Sequence, residues 1–142
     1  LLYTDSLTEV YNRRYYDEQF RDSDDIEAVV VIDVDSFKHI NDRYGHLQGD
    51  VCLSEIADCI KKAYASYGYC YRIGGDEFCV LLKDAQREAA CAREFLRCLE
   101  ERRQTIAFLP TVSFGAAALS GENMEKVKEQ ADRRMYRYKK RS

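Results

Sequence analysis

The run AVVVID at residues 28–33 constrains the fold more than any other stretch of the chain. Its central residues, Val29, Val30, Val31 and Ile32, are all β-branched, and none is polar. A strand with one wet face alternates apolar and polar side chains. An unbroken apolar run instead predicts a central strand buried on both faces. The run ends on Asp33, and a carboxylate at the end of a buried strand is costly unless a cation neutralises it. The rest of the chain must therefore supply a cover for the strand and a use for the acid.

Periodicity supplies the cover. Residues 4–20 predict a helix with Leu7, Val10, Tyr11, Tyr15 and Phe20 on its apolar side. Asp5 or Ser6 would cap it, with Glu9 completing a capping box. After Asp33, Asp35 or Ser36 is expected to cap a short helix through FKHIND, which Gly45 ends. Residues 49–65 predict a longer amphipathic helix that buries Val51, Leu53, Ile56, Ile60 and Ala63. Two short strands follow at 70–73 and 77–82, joined by Gly74-Gly75, a pair suited to a two-residue hairpin turn with positive φ. A helix at 84–103, a strand at 111–119 and a helix at 123–140 complete the order α-β-α-α-β-β-α-β-α. Helices are expected on one face of a mainly antiparallel sheet, an α+β arrangement.

The 142 residues suit one domain. The net charge of −3 argues against a nucleic-acid-binding surface, which is normally basic. The basic run ADRRMYRYKKRS fits a solvated helix end favoured by the macrodipole, with phosphate contact as the alternative. No apolar run approaches the ~20 residues that span a bilayer, and no secretory signal opens the chain. No direct membrane contact and a cytoplasmic location are expected. The chain begins without Met and is expected to be one domain, residues 1–142, of a longer regulatory protein. None of the six cysteines forms a C-x-x-C pair, so small buried thiols are expected rather than a zinc site.

Asp76 opens the strand after the glycine pair, as Asp33 closes the first. If those strands are neighbours, the two carboxylates emerge side by side. Two hard oxygen ligands would suit Mg²⁺, which fills its other positions with phosphate and water. The glycines would then leave room for a phosphate chain near the backbone. Taken singly, a D-x-D or a G-G-D is more often a cap or a turn; here both follow strands. Lys38 lies at a helix start, where the macrodipole disfavours it and a phosphate would justify it; a solvated surface lysine is the alternative.

Four blocks together resemble the GGDEF-domain diguanylate cyclases: DSLTEVYNRR at 5–14, IDVDSFKHINDRYGHLQGD at 32–50, RIGGDEF at 72–78 and ADRRMYRYKK at 131–140. TVSFGAA at 111–117 is a weaker fifth echo. The resemblance implies a palm-like antiparallel sheet with a ferredoxin-like βαββαβ core, related to nucleotide cyclases and polymerase palms. It implies condensation of two GTP molecules to cyclic di-GMP at the interface of two such domains, with two Mg²⁺ or Mn²⁺ ions per site. By position, Asp33, Asp76 and the Val34 carbonyl would hold metal, and Asp76 would also act as base. Lys38 would stabilise charge on the phosphates, and Lys139 would reach them. Asn41 and Asp50 would read guanine with His46 close by, and Gly74 and Gly75 would border the phosphates. Glu77 and Phe37 are further candidates. The guanine assignment also has a chemical basis. Guanine offers N1–H and N2 amino donors that one carboxylate accepts together, and adenine would leave that carboxylate unpaired.

Departures from the family pattern are informative. The glycine and leucine of the first block are Glu9 and Val10 here, and Tyr138 replaces an alanine before Lys139. The R-x-x-D of many members, where product binds and inhibits, is Ala65, Ser66, Tyr67 and Gly68, so no feedback inhibition through that site is expected. No heptad run offers a dimerisation element, so the isolated domain is expected to be monomeric when dilute and weakly active. A non-catalytic GTP-binding or partner-binding module is the alternative function.

Overall fold

The computed structural model describes residues 2–141. Its elements are α1 (Arg13–Asp22), β1 (Ala28–Val34), α2 (Phe37–Tyr44), α3 (His46–Tyr64), β2 (Gly68–Arg72), β3 (Glu77–Leu82), a 3₁₀ turn at Ala85–Arg87, α4 (Glu88–Arg103), β4 (Val112–Ala118) and α5 (Met124–Arg141). The strands form one sheet in the order β2-β3-β1-β4, and every neighbouring pair is antiparallel. This is the expected βαββαβ core, with the short α2 inserted after β1 and an added helix at each end.

The expected arrangement of helices on one face is corrected. Val30, Ile32 and Val34 pack with Leu53, Ile56 and Ile60 of α3 and Phe95 and Leu99 of α4. Val29 and Val31 pack on the opposite face with Tyr16 of α1 and Val127 and Ala131 of α5. Val29 and Val30 point to opposite sides and are both 0% exposed. The continuous apolar run had already required two covers. Tyr15 and Tyr16 of α1 reach their place through ring contacts with Tyr71 of β2.

The helix expected over 4–20 starts only at Arg13. Asn12 is its N-cap and accepts from the Tyr15 N–H. Ahead of it the chain turns: the Asp5 carboxylate accepts from the Thr8 N–H at 3.0 Å and the Thr8 hydroxyl at 2.6 Å. Glu9 has a positive φ of 63°, which no helix tolerates. No capping box forms. Tyr11 bridges to Tyr71, so the segment lies along the outer edge of β2. Two smaller corrections follow from local geometry. The first hairpin strand is Gly68–Arg72 rather than 70–73, and Val51 is 41% exposed on α3 rather than buried.

All six cysteines are free and buried, as expected. Burial pushes the thiols of Cys70 and Cys79 up to about 12, which keeps them protonated and unreactive at neutral pH.

Candidate active site

The sheet brings Asp33 and Asp76 to one end. Asp33 pairs in register with Glu77 of β3 and Ser113 of β4. Asp76 stands one residue before Glu77, and its carbonyl accepts from the Val34 N–H at 3.0 Å. The two acids are therefore diagonal neighbours across adjacent strands. Strand alternation puts Asp33 on the same face as Val29 and Val31, the face covered by α5. There it meets Lys139, whose Nζ is 2.6 Å from Asp33 Oδ2. Burial pushes the Asp76 carboxyl above its ordinary value, and the nearby Asp33 charge adds to this, while Lys139 and Arg72 oppose it. The Lys139 ammonium is shifted up by its bond to Asp33 and by the charges of Asp33, Asp35 and Asp76.

This pair fits a hard divalent cation. Burial and the neighbouring Asp33 charge make the Asp76 carboxylate costly to ionise, and a cation beside it removes that cost. No cluster of three or more His, Cys, Asp or Glu side chains with metal-holding geometry occurs among the described residues; Asp33 and Asp76 supply two carboxylates, and Mg²⁺ commonly takes one or two.

Asp35, expected as a helix cap, is not one. Its Oδ2 accepts from the Thr111 hydroxyl and its Oδ1 from the Ser113 hydroxyl, both at 2.7 Å. Ser36 is the N-cap of α2 and makes no side-chain cap bond. Asp35 thus ties the end of β1 to the start of β4, beside Asp33.

The glycine turn is also corrected. Residues 73–76 separate the strands, Ile73 N–H donates to the Glu77 carbonyl at 2.9 Å, and neither Gly74 nor Gly75 has a positive φ. A side chain at Gly75 would meet open space, whereas one at Gly74 would crowd Glu77. The turn's shape is held from outside. Arg72 donates to the Gly75 carbonyl at 2.8 Å and pairs with Asp5 at 3.3 Å. Arg13 donates to the Ile73 carbonyl at 3.0 Å. Sequence reasoning missed these three braces. Their signal was present, since Asp5, Arg13 and Arg72 all lie inside matched blocks.

Asn41 on α2 and Asp50 on α3 stand on either side of the elbow at Gly45, where φ is +89°. A Cβ on Gly49 would lie 1.9 Å from Asn41 Oδ1 and 3.3 Å from the Phe37 ring. The missing side chain lets Asn41 and Phe37 pack beside the residue that precedes Asp50. His46 and Asp50 are exposed, one turn apart on α3. Lys38 is turned to solvent, its side chain 93% exposed, with Asp42 at 3.8 Å as its ion-pair partner among the described residues. The structure therefore gathers Asp33, Asp76, Val34 and Lys139 at one place and Asn41, Phe37 and Asp50 at a second.

The family described as "Diguanylate cyclase, GGDEF domain" matches residues 2–142. This chain belongs to the GGDEF family. The GGDEF domain is 34% identical over 145 residues to diguanylate cyclase DgcS of Shewanella oneidensis, covering 95% of this chain and 49% of that protein. It is 36% identical over 156 residues to diguanylate cyclase DgcP of Pseudomonas aeruginosa, covering 96% of this chain and 22% of that protein. The chain thus spans half or less of the length of these relatives. Among solved structures, the GGDEF domain of DgcB from Caulobacter crescentus in complex with c-di-GMP superposes with a TM-score of 0.83 at 30% identity, covering 97% of this chain and 90% of that one. The palm-like antiparallel sheet is the fold of the family. No helix among the described residues is long and apolar enough to cross a membrane.

Proposed function

We propose that this GGDEF domain is a diguanylate cyclase of bacterial second-messenger signalling. It condenses two GTP molecules into cyclic di-GMP with loss of two pyrophosphates, at the interface of two copies of the domain. The observation that carries this reading is the placement of Asp33 and Asp76 at adjacent strand ends with the Lys139 ammonium beside them.

Asp33, Asp76 and the Val34 carbonyl would hold Mg²⁺ or Mn²⁺, two per site. When bound, such ions neutralise phosphate charge and lower the pKa of a ribose hydroxyl. The chain's own groups do the rest. The Asp76 carboxylate would take the proton of a ribose 3′-hydroxyl. The 3′-oxygen then bonds to the α-phosphorus of the other nucleotide, and the bond from that phosphorus to pyrophosphate breaks. Lys139 and Lys38 offset charge on the phosphate oxygens. Gly75 leaves the backbone approachable there. Asp50 and Asn41 accept and donate to the guanine edge, with His46 close by.

The deciding experiment incubates concentrated protein with GTP and Mg²⁺ and identifies the product by mass spectrometry, with Asp76→Asn in parallel. Cyclic di-GMP is expected from the wild type, and at least roughly a hundredfold less from the variant, as for loss of a general base. GTP binding without any product would instead identify a non-catalytic nucleotide-binding module.

A further inference from the structure

The site holds a cation of its own. Lys139 lies in the last turn of α5 and makes a 2.6 Å contact with Asp33 Oδ2. Asp33 is enclosed, its side chain 16% exposed, while that of Lys139 is 44% exposed. Other nearby charges are committed elsewhere. Arg72 is spent on Asp5 and the Gly75 carbonyl. Lys38 faces Asp42. Both oxygens of Asp35 accept from hydroxyls. Among the described residues Lys139 is thus the cation that compensates Asp33.

We propose that Lys139 is a resident counter-ion that competes with divalent cation for Asp33 and yields only when nucleotide phosphates draw its ammonium away. The inference rests on the metal-and-nucleotide site proposed above. Its physical basis is simple. A cation entering alone must break the ion pair and share Asp33 with an ammonium, which repels it. A triphosphate gives the ammonium a new anionic partner, so the carboxylate is released as the metal arrives. Metal and nucleotide then favour each other's binding, and that coupling is reciprocal. The flexible four-carbon stem of lysine suits a charge that changes partners.

The test measures Mn²⁺ binding by electron paramagnetic resonance, with and without a GTP analogue carrying a non-cleavable α,β-methylene linkage. Wild type is expected to bind Mn²⁺ weakly alone and much more tightly with the analogue. Lys139→Met is expected to bind Mn²⁺ alone about tenfold more tightly, from removal of a like charge in a partly wet site. The tightening produced by the analogue should shrink by a similar factor. Lys140→Met, whose ammonium lies over the Tyr136 ring, should behave as wild type. The expected result is a gain of affinity, which a misfolded variant cannot mimic. Unchanged or weaker Mn²⁺ binding by Lys139→Met, with metal and analogue still binding normally, would overturn this inference alone. Absence of Mn²⁺ binding by either protein in every condition would overturn it together with the proposed metal site.

Discussion

Glu9 carries a side chain where the backbone is left-handed, with φ at 63°. That conformation costs an ordinary residue about 1 kcal/mol or more, because Cβ meets the following carbonyl. The family pattern that this block resembles carries glycine here, so the departure read in the sequence falls on a real conformational demand. Glu9→Gly is expected to raise stability by about 0.5–1 kcal/mol, measured as a higher urea midpoint at an unchanged slope. A lower midpoint would contradict it. Asp5 shows the opposite economy. Burial pushes its carboxyl up, yet the Thr8 hydroxyl and amide and the Arg72 charge outweigh this and hold it below its ordinary value. Because the folded pKa is depressed, its contribution is complete above the unfolded value and is lost as pH falls through the folded one. Asp5→Asn should therefore cost about 1–2 kcal/mol at pH 7, and the difference from wild type should shrink as pH falls through the depressed folded pKa. A constant difference across a denaturation series from pH 7 to pH 2 would rule out the charge as its source. Asp33 and Asp76 could be found from sequence because one lies at the end of its strand and the other stands directly before its own. The role of Asp35 could not, because its partners Thr111 and Ser113 lie 76 and 78 residues away and depend on the β1–β4 register.

At the scale of elements, glycines set two distances that matter to the site. A Cβ on Gly115 would lie 2.2 Å from the Met135 nitrogen and 2.3 Å from the Ala131 carbonyl oxygen, both backbone atoms of α5. The helix therefore rests directly on β4, and its last turn is low enough for Lys139 to reach Asp33. Gly115→Ala must lift the helix. It is expected to destabilise the fold by about 3 kcal/mol, as overpacking of a rigid contact does, and to weaken the Lys139–Asp33 contact, visible as a changed Lys139 side-chain resonance. Gly49→Ala acts on a softer neighbour, because Asn41 Oδ1 can turn away. Stability should fall by less than about 1.5 kcal/mol. GTP affinity should fall about tenfold, as for loss of one hydrogen bond to the base, and binding isotherms with GTP and inosine triphosphate would separate this from a general loss. Periodicity located nearly every helix and strand, because helix and strand repeats are local properties. It failed at residues 4–12, where contacts with Arg72 and the β2 edge override helical spacing. It also failed to assign the helices to faces of the sheet. The unbroken AVVVID run demanded two covered faces, but nothing local says that α1 and α5 share one of them.

For the molecule as a whole, the decisive property is the number of nucleotide sites. The Asp33–Asp76 pair lies at one end of one sheet, and Asn41 with Asp50 flanks one elbow between α2 and α3, so under the proposed function one domain would offer one GTP position. The proposed product needs two nucleotides, each attacking the other, and on that reading two such ends would face one another. Face-to-face docking replaces an encounter in solution by a fixed approach of reacting atoms. It also makes turnover depend on how often two domains meet. If the isolated domain is largely monomeric, the rate per domain should rise in proportion to protein concentration and level off only where dimers dominate. Initial rates across roughly a hundredfold range of protein, at saturating GTP and Mg²⁺, would show this slope. Fusing an unrelated parallel coiled coil ahead of the chain should remove the slope by raising the effective concentration of one domain at the other. Its turnover should then match the plateau of the concentrated domain. A rate per domain that is flat for the unfused chain would mean either a tight dimer, which sedimentation at the same concentrations would show, or chemistry completed within one domain. The second outcome would contradict the two-domain mechanism, because a single Asp33–Asp76 site cannot present both nucleotides to each other.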